Sequence, residues 1–287
     1  MAERVMVHEW VFGLYLLVMT VGLVAVEGFV DPDTLVFAGL VAANLAVIAA
    51  CVAKPGIARW RVRLGYYAVA MNVAFQQMRT AVPALRDWRA DETLRQADAW
   101  LFGDTPSVLI EPWMAPWLSD VMSICYFLFL PYLAISLVWY LFSPLALALR
   151  FYTGLFALYG VGFLGYLCVP AAGPYLAMQE AFSRPIEGSW ITSLNAAVIG
   201  AGSNGTDVFP SLHVAVSCYL LFFDRRFKPW RFRIYLVPCV GLWASTVYLR
   251  YHYFVDLLAG YALAAASLWI AFRYFREDNH EIHPALR

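Results

Sequence analysis

Two internal histidines and one aspartate are the residues of this sequence whose types and spacing best suit chemistry. His252 and Asp256 are four positions apart, a spacing that places two side chains on one face of a helix. A carboxylate in that place can orient an imidazole and stabilise its charged form, as a nucleophilic or basic histidine requires. His213 follows Pro210 and Ser211 at the start of an apolar run. These residues therefore indicate nucleophilic catalysis or proton transfer.

The segment around His213 also predicts an anion site. Pro210 suits the first position of a helix, because the N–H that proline lacks would have no partner there. Ser211 and His213 would then lie in the first helical turn, where free N–H groups and the helix dipole attract negative charge. The Asn204-Gly205 bend leads into this turn. We therefore expect a phosphate group to bind at the start of this helix.

Membrane-spanning helices must position these residues. Of the 287 residues, 62% are hydrophobic and 14% are charged, whereas soluble domains contain about 25% charged residues. A helix that crosses a bilayer core of about 30 Å needs roughly 20 mostly apolar residues. The formal net charge is zero, which gives no electrostatic basis for a nucleic-acid partner. We predict an all-α integral membrane protein with about eight transmembrane helices, at residues 10–30, 34–53, 64–82, 117–142, 146–169, 209–223, 233–250 and 252–272.

Two polar stretches leave alternatives open. Gln76 and Arg79 lie toward the end of the third predicted span, which therefore fits a helix facing a polar cavity or a re-entrant segment equally well. Residues 86–100 carry mixed charge at helical spacing, with Leu94 and Trp100 on the apolar side. This second stretch is expected to form a helix either at the membrane interface or in solvent.

The positions of Lys and Arg predict the orientation of the spans. If the N-terminus is cytoplasmic, every basic loop falls on the cytoplasmic side, as the positive-inside rule requires. The long connections 83–116 and 171–208 then lie on the opposite face, with His213 and His252. We predict a protein of the bacterial inner membrane with both termini in the cytoplasm and its active site on the non-cytoplasmic face. The basic residues assigned to the cytoplasmic side are Lys54, Arg59, Arg61, Arg63, Arg150, Arg225, Arg226, Lys228, Arg231, Arg233, Arg273 and Arg276.

At the candidate residues the sequence resembles the type 2 phosphatidic acid phosphatase superfamily, whose members share a six-helix core and act on lipid phosphates without metal. The family motif Pro-Ser-Gly-His is matched by residues 210–213, with Leu212 in place of glycine. The motif Ser-Arg-x5-His-x3-Asp is matched by residues 245–256, with Thr246 in the arginine position. A family glycine four residues further on is Gly260.

The differences from the family pattern indicate one branch of the family. Of the motif Lys-x6-Arg-Pro only Arg184-Pro185 is present, and Ala177 stands in the lysine position. The form Pro-Ser-Leu-His together with His-Tyr-Phe-Val-Asp is similar to the inositol phosphorylceramide synthase branch, whose members move a phosphoryl headgroup from one lipid to another alcohol. The resemblance covers residues 168–264 well, and the helices before them only in layout.

The resemblance implies a mechanism without cofactor or metal. His252 would be the nucleophile that attacks phosphorus, Asp256 would orient it, and His213 would be the acid that protonates the leaving alkoxide. The partners would be a lipid phosphate or phosphodiester, a bilayer, and a polar alcohol as acceptor, with water as acceptor in the alternative case of a lipid phosphate phosphatase. The candidate donors to the phosphoryl oxygens are Ser211, Arg184 and Arg250.

Two alternatives belong to other classes of protein. In a transporter, His213, His252 and Asp256 would form a proton or substrate relay, although the polar groups cluster at one face rather than along a pathway. In a metal-dependent enzyme, Asp207 would join the same three residues as a ligand. No other spacing of His, Cys or carboxylates supports that second alternative.

The chain is predicted to form a single membrane domain, because it contains no internal repeat and no linker of low complexity. Residues 1–63 would form two additional N-terminal spans. Residues 64–272 would form the lipid-phosphatase-like core of six spans that the resemblance implies, and residues 273–287 a cytoplasmic tail.

Overall fold

The computed structural model describes residues 5–273, and the regular elements within this range are helices. A single parallel bridge, between Ala171 and Asp207, is the only β contact there. Two one-turn 3-10 helices, Glu111–Trp113 and Gln179–Ala181, lie between the longer elements. The α-helices are α1 (Val7–Val26), α2 (Pro32–Ala53), α3 (Ile57–Leu85), α4 (Asp91–Phe102), α5 (Pro106–Leu109), α6 (Pro116–Phe127), α7 (Phe129–Leu141), α8 (Leu145–Cys168), α9 (Pro174–Ala177), α10 (Trp190–Gly202), α11 (Leu212–Phe227), α12 (Pro229–Tyr248) and α13 (Phe254–Arg273).

Five helical segments of the described chain are long and apolar enough to cross a membrane. They are α1, α2, the consecutive helices α6 and α7, α8, and α13. They coincide with five of the predicted spans, so for residues 5–273 the prediction of an all-helical chain with helices suited to span a membrane is confirmed. The other three predicted spans correspond to α3, α11 and α12, which are helices of lower apolarity. The total of eight spans therefore stays a prediction.

The described chain forms two compact units. The first contains residues 5–87, 135–164 and 265–273. Arg63 of α3 is fully buried in this unit and pairs with Glu9 of α1, at 2.5 Å between the guanidinium and the carboxylate. The sequence predicts that Arg63 lies in a loop before the third span, whereas it lies within α3 and joins this helix to α1. Leaving either charge alone in this core would be costly, because a buried charge without a partner is strongly destabilising.

The second unit contains residues 88–134 and 165–264, and therefore both internal histidines and Asp256. In this unit α12 packs against α11 and α6. A Cβ on Gly260 of α13 would lie 2.7 Å from the carbonyl oxygen of Ser211. Only glycine allows α13 to approach the start of α11 so closely. This contact gives a physical reason for the glycine in the family motif.

The mixed-charge stretch 86–100 enters α4 at Asp91 in the same unit, but the faces of this helix differ from the prediction. Leu94 is buried as expected, whereas Trp100 is 85% exposed. Asp91 and Asp98 point inward and are buried. The helix therefore uses two of its carboxylates, and not Trp100, to contact the rest of the unit.

Candidate active site

The start of α11 positions His213, which is the second residue of that helix. Ser211 is the N-cap, and its Oγ accepts the N–H of Val214 at 3.4 Å. The prediction that Pro210 begins the helix, with Ser211 in its first turn, is therefore wrong by two residues. Ser211 is fully buried, and its own N–H donates to the carbonyl of Asp256 at 3.1 Å. Ser211 thus joins the start of α11 to the first turn of α13.

His252 lies in the short loop between α12 and α13, and not on α13 as its spacing from Asp256 predicted. The helix begins two residues later, at Phe254. The carbonyl of Thr246 accepts the N–H groups of Tyr251 and His252, at 2.9 and 3.0 Å, and so ties the loop back to α12. Arg250 has a φ of 65°, in the left-handed region that few non-glycine residues adopt. These contacts hold His252 in a defined place.

The structure brings His213, His252 and Asp256 together. Nδ1 of His252 lies 3.5 Å from Oδ2 of Asp256, a contact that is longer than a hydrogen bond and that becomes an ion pair when the imidazole is protonated. The same oxygen accepts the N–H of Tyr253 at 2.8 Å. The ring centroids of the two histidines are 5.7 Å apart. At this separation both imidazoles can act on groups attached to one phosphorus atom.

Tyr126 of α6 contacts His213 and was not predicted from the sequence. Its hydroxyl lies 3.0 Å from Nε2 and 3.3 Å from Nδ1 of that imidazole. Its ring also packs against Tyr251, with 5.0 Å between the centroids. A tyrosine within the apolar run 117–142 carries no spacing signal, because such runs are rich in aromatic residues that pack or face lipid. The contact restrains the ring of His213 from the side of α6.

Arg250, predicted to bind phosphate, is held in an ion pair. Its Nη2 lies 3.1 Å from Oε1 of Glu111 and donates to the carbonyl of Arg184 at 3.0 Å. Its guanidinium carbon lies 3.8 Å from the centroid of the Phe182 ring, a cation–π contact. Its guanidinium thus contacts Glu111, Arg184 and Phe182 rather than the two histidines and Asp256.

Glu111 binds the side chain of Arg250 and the backbone of Arg184. Its carboxylate accepts the backbone N–H of Arg184 at 3.1 Å, as well as the backbone N–H and the hydroxyl of Ser183. Desolvation raises the pKa of Glu111, but these hydrogen bonds and the charge of Arg250 outweigh it and lower the pKa overall. The Arg184 residue itself is exposed. Sequence reasoning missed Glu111 because it is 139 residues from Arg250.

The two positions at which the family carries cations are occupied here by other residues. Thr246 donates its hydroxyl to the carbonyl of Trp243 at 2.7 Å, within α12. Ala177 is exposed at the end of α9. Both positions therefore lack the positive charge that the resemblance implied there.

Asp207, which the metal-dependent alternative would use as a ligand, is close enough to His252 for their charges to interact. Its Oδ1 accepts the hydroxyl of Ser203 at 2.7 Å. Burial raises the pKa of Asp207, and the charge of His252 partly opposes this rise. Across residues 5–273 there is no group of three His, Cys, Asp or Glu side chains placed to hold a metal ion. The four residues of the metal alternative are thus not arranged as a ligand set.

The residues of the candidate site lie within a match to a known protein family. The sequence profile of the PAP2 superfamily matches residues 92–270, a range that contains both histidines and Asp256. A phosphoinositol dihydroceramide synthase from Bacteroides thetaiotaomicron is 26% identical over 129 residues, which cover 40% of this chain and 42% of the synthase. The similarity therefore spans less than half the length of that relative. No solved structure matches the chain.

Proposed function

Because the chain belongs to the PAP2 superfamily, it is an enzyme of the phosphatase or phosphotransferase kind, and we propose that it transfers a phosphoryl headgroup from a membrane lipid to an alcohol. The donor would be a lipid phosphate or a lipid phosphodiester. The observation that carries this proposal is the separation of 5.7 Å between the rings of His213 and His252, with Asp256 beside the second ring.

In the first half of the reaction, His252 becomes phosphorylated. One of its ring nitrogens attacks phosphorus, so that an N–P bond forms while the P–O bond to the lipid alkoxide breaks. Asp256 orients the ring and stabilises the positive charge that develops on it. His213 donates a proton to the leaving alkoxide, which departs as a lipid alcohol. The Tyr126 hydroxyl, 3.0 Å from Nε2 of His213, keeps that ring in place.

In the second half, an acceptor hydroxyl takes the phosphoryl group from His252. The acceptor oxygen attacks phosphorus as its proton passes to His213, now the general base. A new P–O bond forms and the N–P bond breaks, which restores both histidines. With a lipid phosphodiester as donor an alcohol gives a new phosphodiester, with a lipid phosphate it gives a new phosphomonoester, and water gives hydrolysis.

The negative charge on the phosphoryl oxygens requires hydrogen-bond donors, since proteins catalyse phosphoryl transfer mainly by electrostatic stabilisation. We assign this role to Arg184, Arg250 and the first turn of α11, whose N–H groups lack partners within the helix. Ser211 contributes as the N-cap that fixes this turn. Arg250 would reach the phosphate by exchanging one contact with Glu111 for a phosphate oxygen.

The sequence motifs and the relative that the chain matches both favour an alcohol over water as the acceptor. Pro-Ser-Leu-His and the absence of two family cations depart from the phosphatase pattern. The named relative is a synthase. An experiment that offers both acceptors decides between transfer and hydrolysis.

Purified protein in lipid micelles should convert a labelled lipid phosphate or phosphodiester, and added alcohols should divert the label into a new ester. This conversion should persist in excess chelator, because histidine and arginine supply the charges and no metal is needed. Vanadate should inhibit, because it can adopt the five-coordinate geometry of the reacting phosphorus. Activity lost in chelator and restored by zinc or magnesium would favour a metal-dependent enzyme. No conversion of any lipid phosphate would overturn the proposed function.

The site is proposed to face the non-cytoplasmic side of the bacterial inner membrane, because of the positive-inside distribution. In a variant without the native cysteines, Glu187→Cys should react with an impermeant thiol reagent in intact cells, since Glu187 is exposed in the loop before α10. Arg226→Cys, exposed at the end of α11, is the matched control and should react only after lysis. The reverse labelling pattern would overturn the proposed orientation.

A further inference from the structure

Helix α4 presents two buried carboxylates to the loops of the candidate active site. Asp91 and Asp98 are seven residues apart, which is about two helical turns, so they lie on the same face of α4. Their relative exposures are 9% and 0%. A carboxylate is costly to bury unless hydrogen bonds compensate for the lost water. The partners of these two side chains therefore indicate why the sequence keeps charge at these positions.

Asp98 caps the start of α13 from a distant part of the chain. Its Oδ2 accepts the N–H of Phe254 at 2.9 Å, and its Oδ1 accepts the N–H of Val255 at 3.0 Å. These are the first two N–H groups of α13, which have no acceptor within the helix. A nearby residue usually caps such groups, whereas Asp98 is 156 residues away from Phe254. Its negative charge is also favourable at the positive end of the helix dipole.

Asp91 holds the neighbouring loops with similar bonds. Its carboxylate accepts the N–H groups of Ala172 and Gly173, at 3.0 and 2.9 Å, and the hydroxyl of Tyr253 at 3.1 Å. Gly173 has a φ of +86°, and a Cβ there would collide with the carbonyl oxygen of Tyr251. Asp91 thus fixes the close approach of the loop after α8 to the loop that carries His252.

The residues that Asp98 binds lie between the two residues that the reaction needs. Phe254 and Val255 directly separate the loop that carries His252 from Asp256 on α13. The contact between His252 and Asp256 is 3.5 Å in length, and it depends on where the first turn of α13 begins. Loss of the cap would allow this turn to fray, because the two N–H groups would then lose their acceptor in a partly buried place.

We propose that Asp98 is a positioning residue for phosphoryl transfer. It caps α13 and so keeps Asp256 in contact with His252. The inference rests on the proposed function for its catalytic consequence. Asp98 touches neither histidine and donates nothing to the phosphate. It binds the backbone of Phe254 and Val255, which leads to Asp256 and so to the imidazole of His252. Its carboxylate is also close enough to Asp256 for their charges to interact.

Asp98→Asn tests this role, because the amide keeps the size of the side chain but offers only one acceptor oxygen and turns an N–H₂ toward the second N–H. We expect kcat to fall by about 10- to 100-fold with KM little changed, since a misplacement of about 1 Å can cost about 100-fold in rate. Hydrogen exchange at the amides of residues 253–256 should become faster. Asp98→Glu, which restores both acceptors, should recover part of kcat.

Glu92→Gln is the matched control on the same helix. Glu92 is exposed and its ion pair with Arg95 is on the surface, so this variant should keep the kcat and the hydrogen exchange of the wild type. A wild-type protein without turnover on any lipid phosphate would overturn the proposed function. Wild-type turnover together with an unchanged kcat or unchanged exchange in Asp98→Asn would overturn this inference alone. A rise in KM as large as the fall in kcat, together with a loss of folded protein, would show that Asp98 only stabilises the fold. That result would also contradict the inference.

Discussion

His252→Ala should reduce turnover on lipid phosphates by on the order of 10⁴- to 10⁶-fold, the range seen when the nucleophile of a catalytic constellation is removed. The reason is that no other side chain in the cluster is placed to attack phosphorus. Asp256 is buried and uses one oxygen to accept the N–H of Tyr253. The ring of His213 is restrained by Tyr126. Steady-state assays in lipid micelles measure the loss.

The alanine variant requires a control for folding, because His252 is only 3% exposed and its removal leaves a cavity. His252→Gln fills most of that space, has no nucleophilic nitrogen and should be as inactive as the alanine variant. Thermal melting and elution in detergent should match the wild type for at least one of the two. A folded variant that retains a tenth or more of wild-type turnover would exclude His252 as the nucleophile.

His213→Ala should reduce turnover of ordinary lipid substrates by about 10²- to 10⁴-fold, the usual contribution of a general acid. A substrate whose leaving group is a stable anion needs little protonation, so it should recover a large part of that loss. The measurement is the ratio of wild-type to variant rate for an alkyl ester and for an aryl ester of the same phosphate.

Asp256→Asn is the contrasting variant for the test of His213. It leaves His252 in place but removes the charge that orients it and stabilises the imidazolium. The defect lies in the nucleophile, so an activated leaving group should not rescue this variant. Equal rescue of both variants would show that His213 is not the proton donor. If neither variant is rescued, departure of the leaving group is not the rate-limiting step.

The sequence predicted the helices and the trio of residues better than it predicted local geometry. Long apolar runs determine where a chain can cross a bilayer, and five of the predicted spans are present as sufficiently apolar helices. His213, His252 and Asp256 are close together because two short loops place the starts of α11 and α13 side by side. The motif spacings that carried the family resemblance reflect these two helix starts.

Helix boundaries were less predictable, because distant residues decide them. The i, i+4 spacing placed His252 on the last predicted span, but α13 begins only at Phe254. The first two N–H groups of that helix find their acceptor in Asp98, which no local pattern around residue 254 reveals. Ser211 likewise acts as an N-cap, and not as a first-turn residue.

Contacts between residues far apart in the chain were missed for the same reason. Tyr126 reaches His213 across 87 positions. Glu111 reaches Arg250 across 139 positions. Single-sequence patterns report periodicity within an element and say nothing about which elements meet. Arg184 and Arg250 could therefore be proposed as phosphate ligands. The carboxylate of Glu111, which binds the backbone of Arg184 and the side chain of Arg250, could not be predicted.

Mapping the phosphoryl group on wild-type protein tests the mechanism most directly. Protein mixed with labelled lipid phosphate and quenched within one turnover should carry an acid-labile, alkali-stable adduct, and fragmentation by mass spectrometry should place it on His252. Added acceptor should discharge this adduct at a rate equal to or faster than kcat. Turnover without any adduct, or label on a residue other than His252, would contradict the phosphoryl-histidine mechanism.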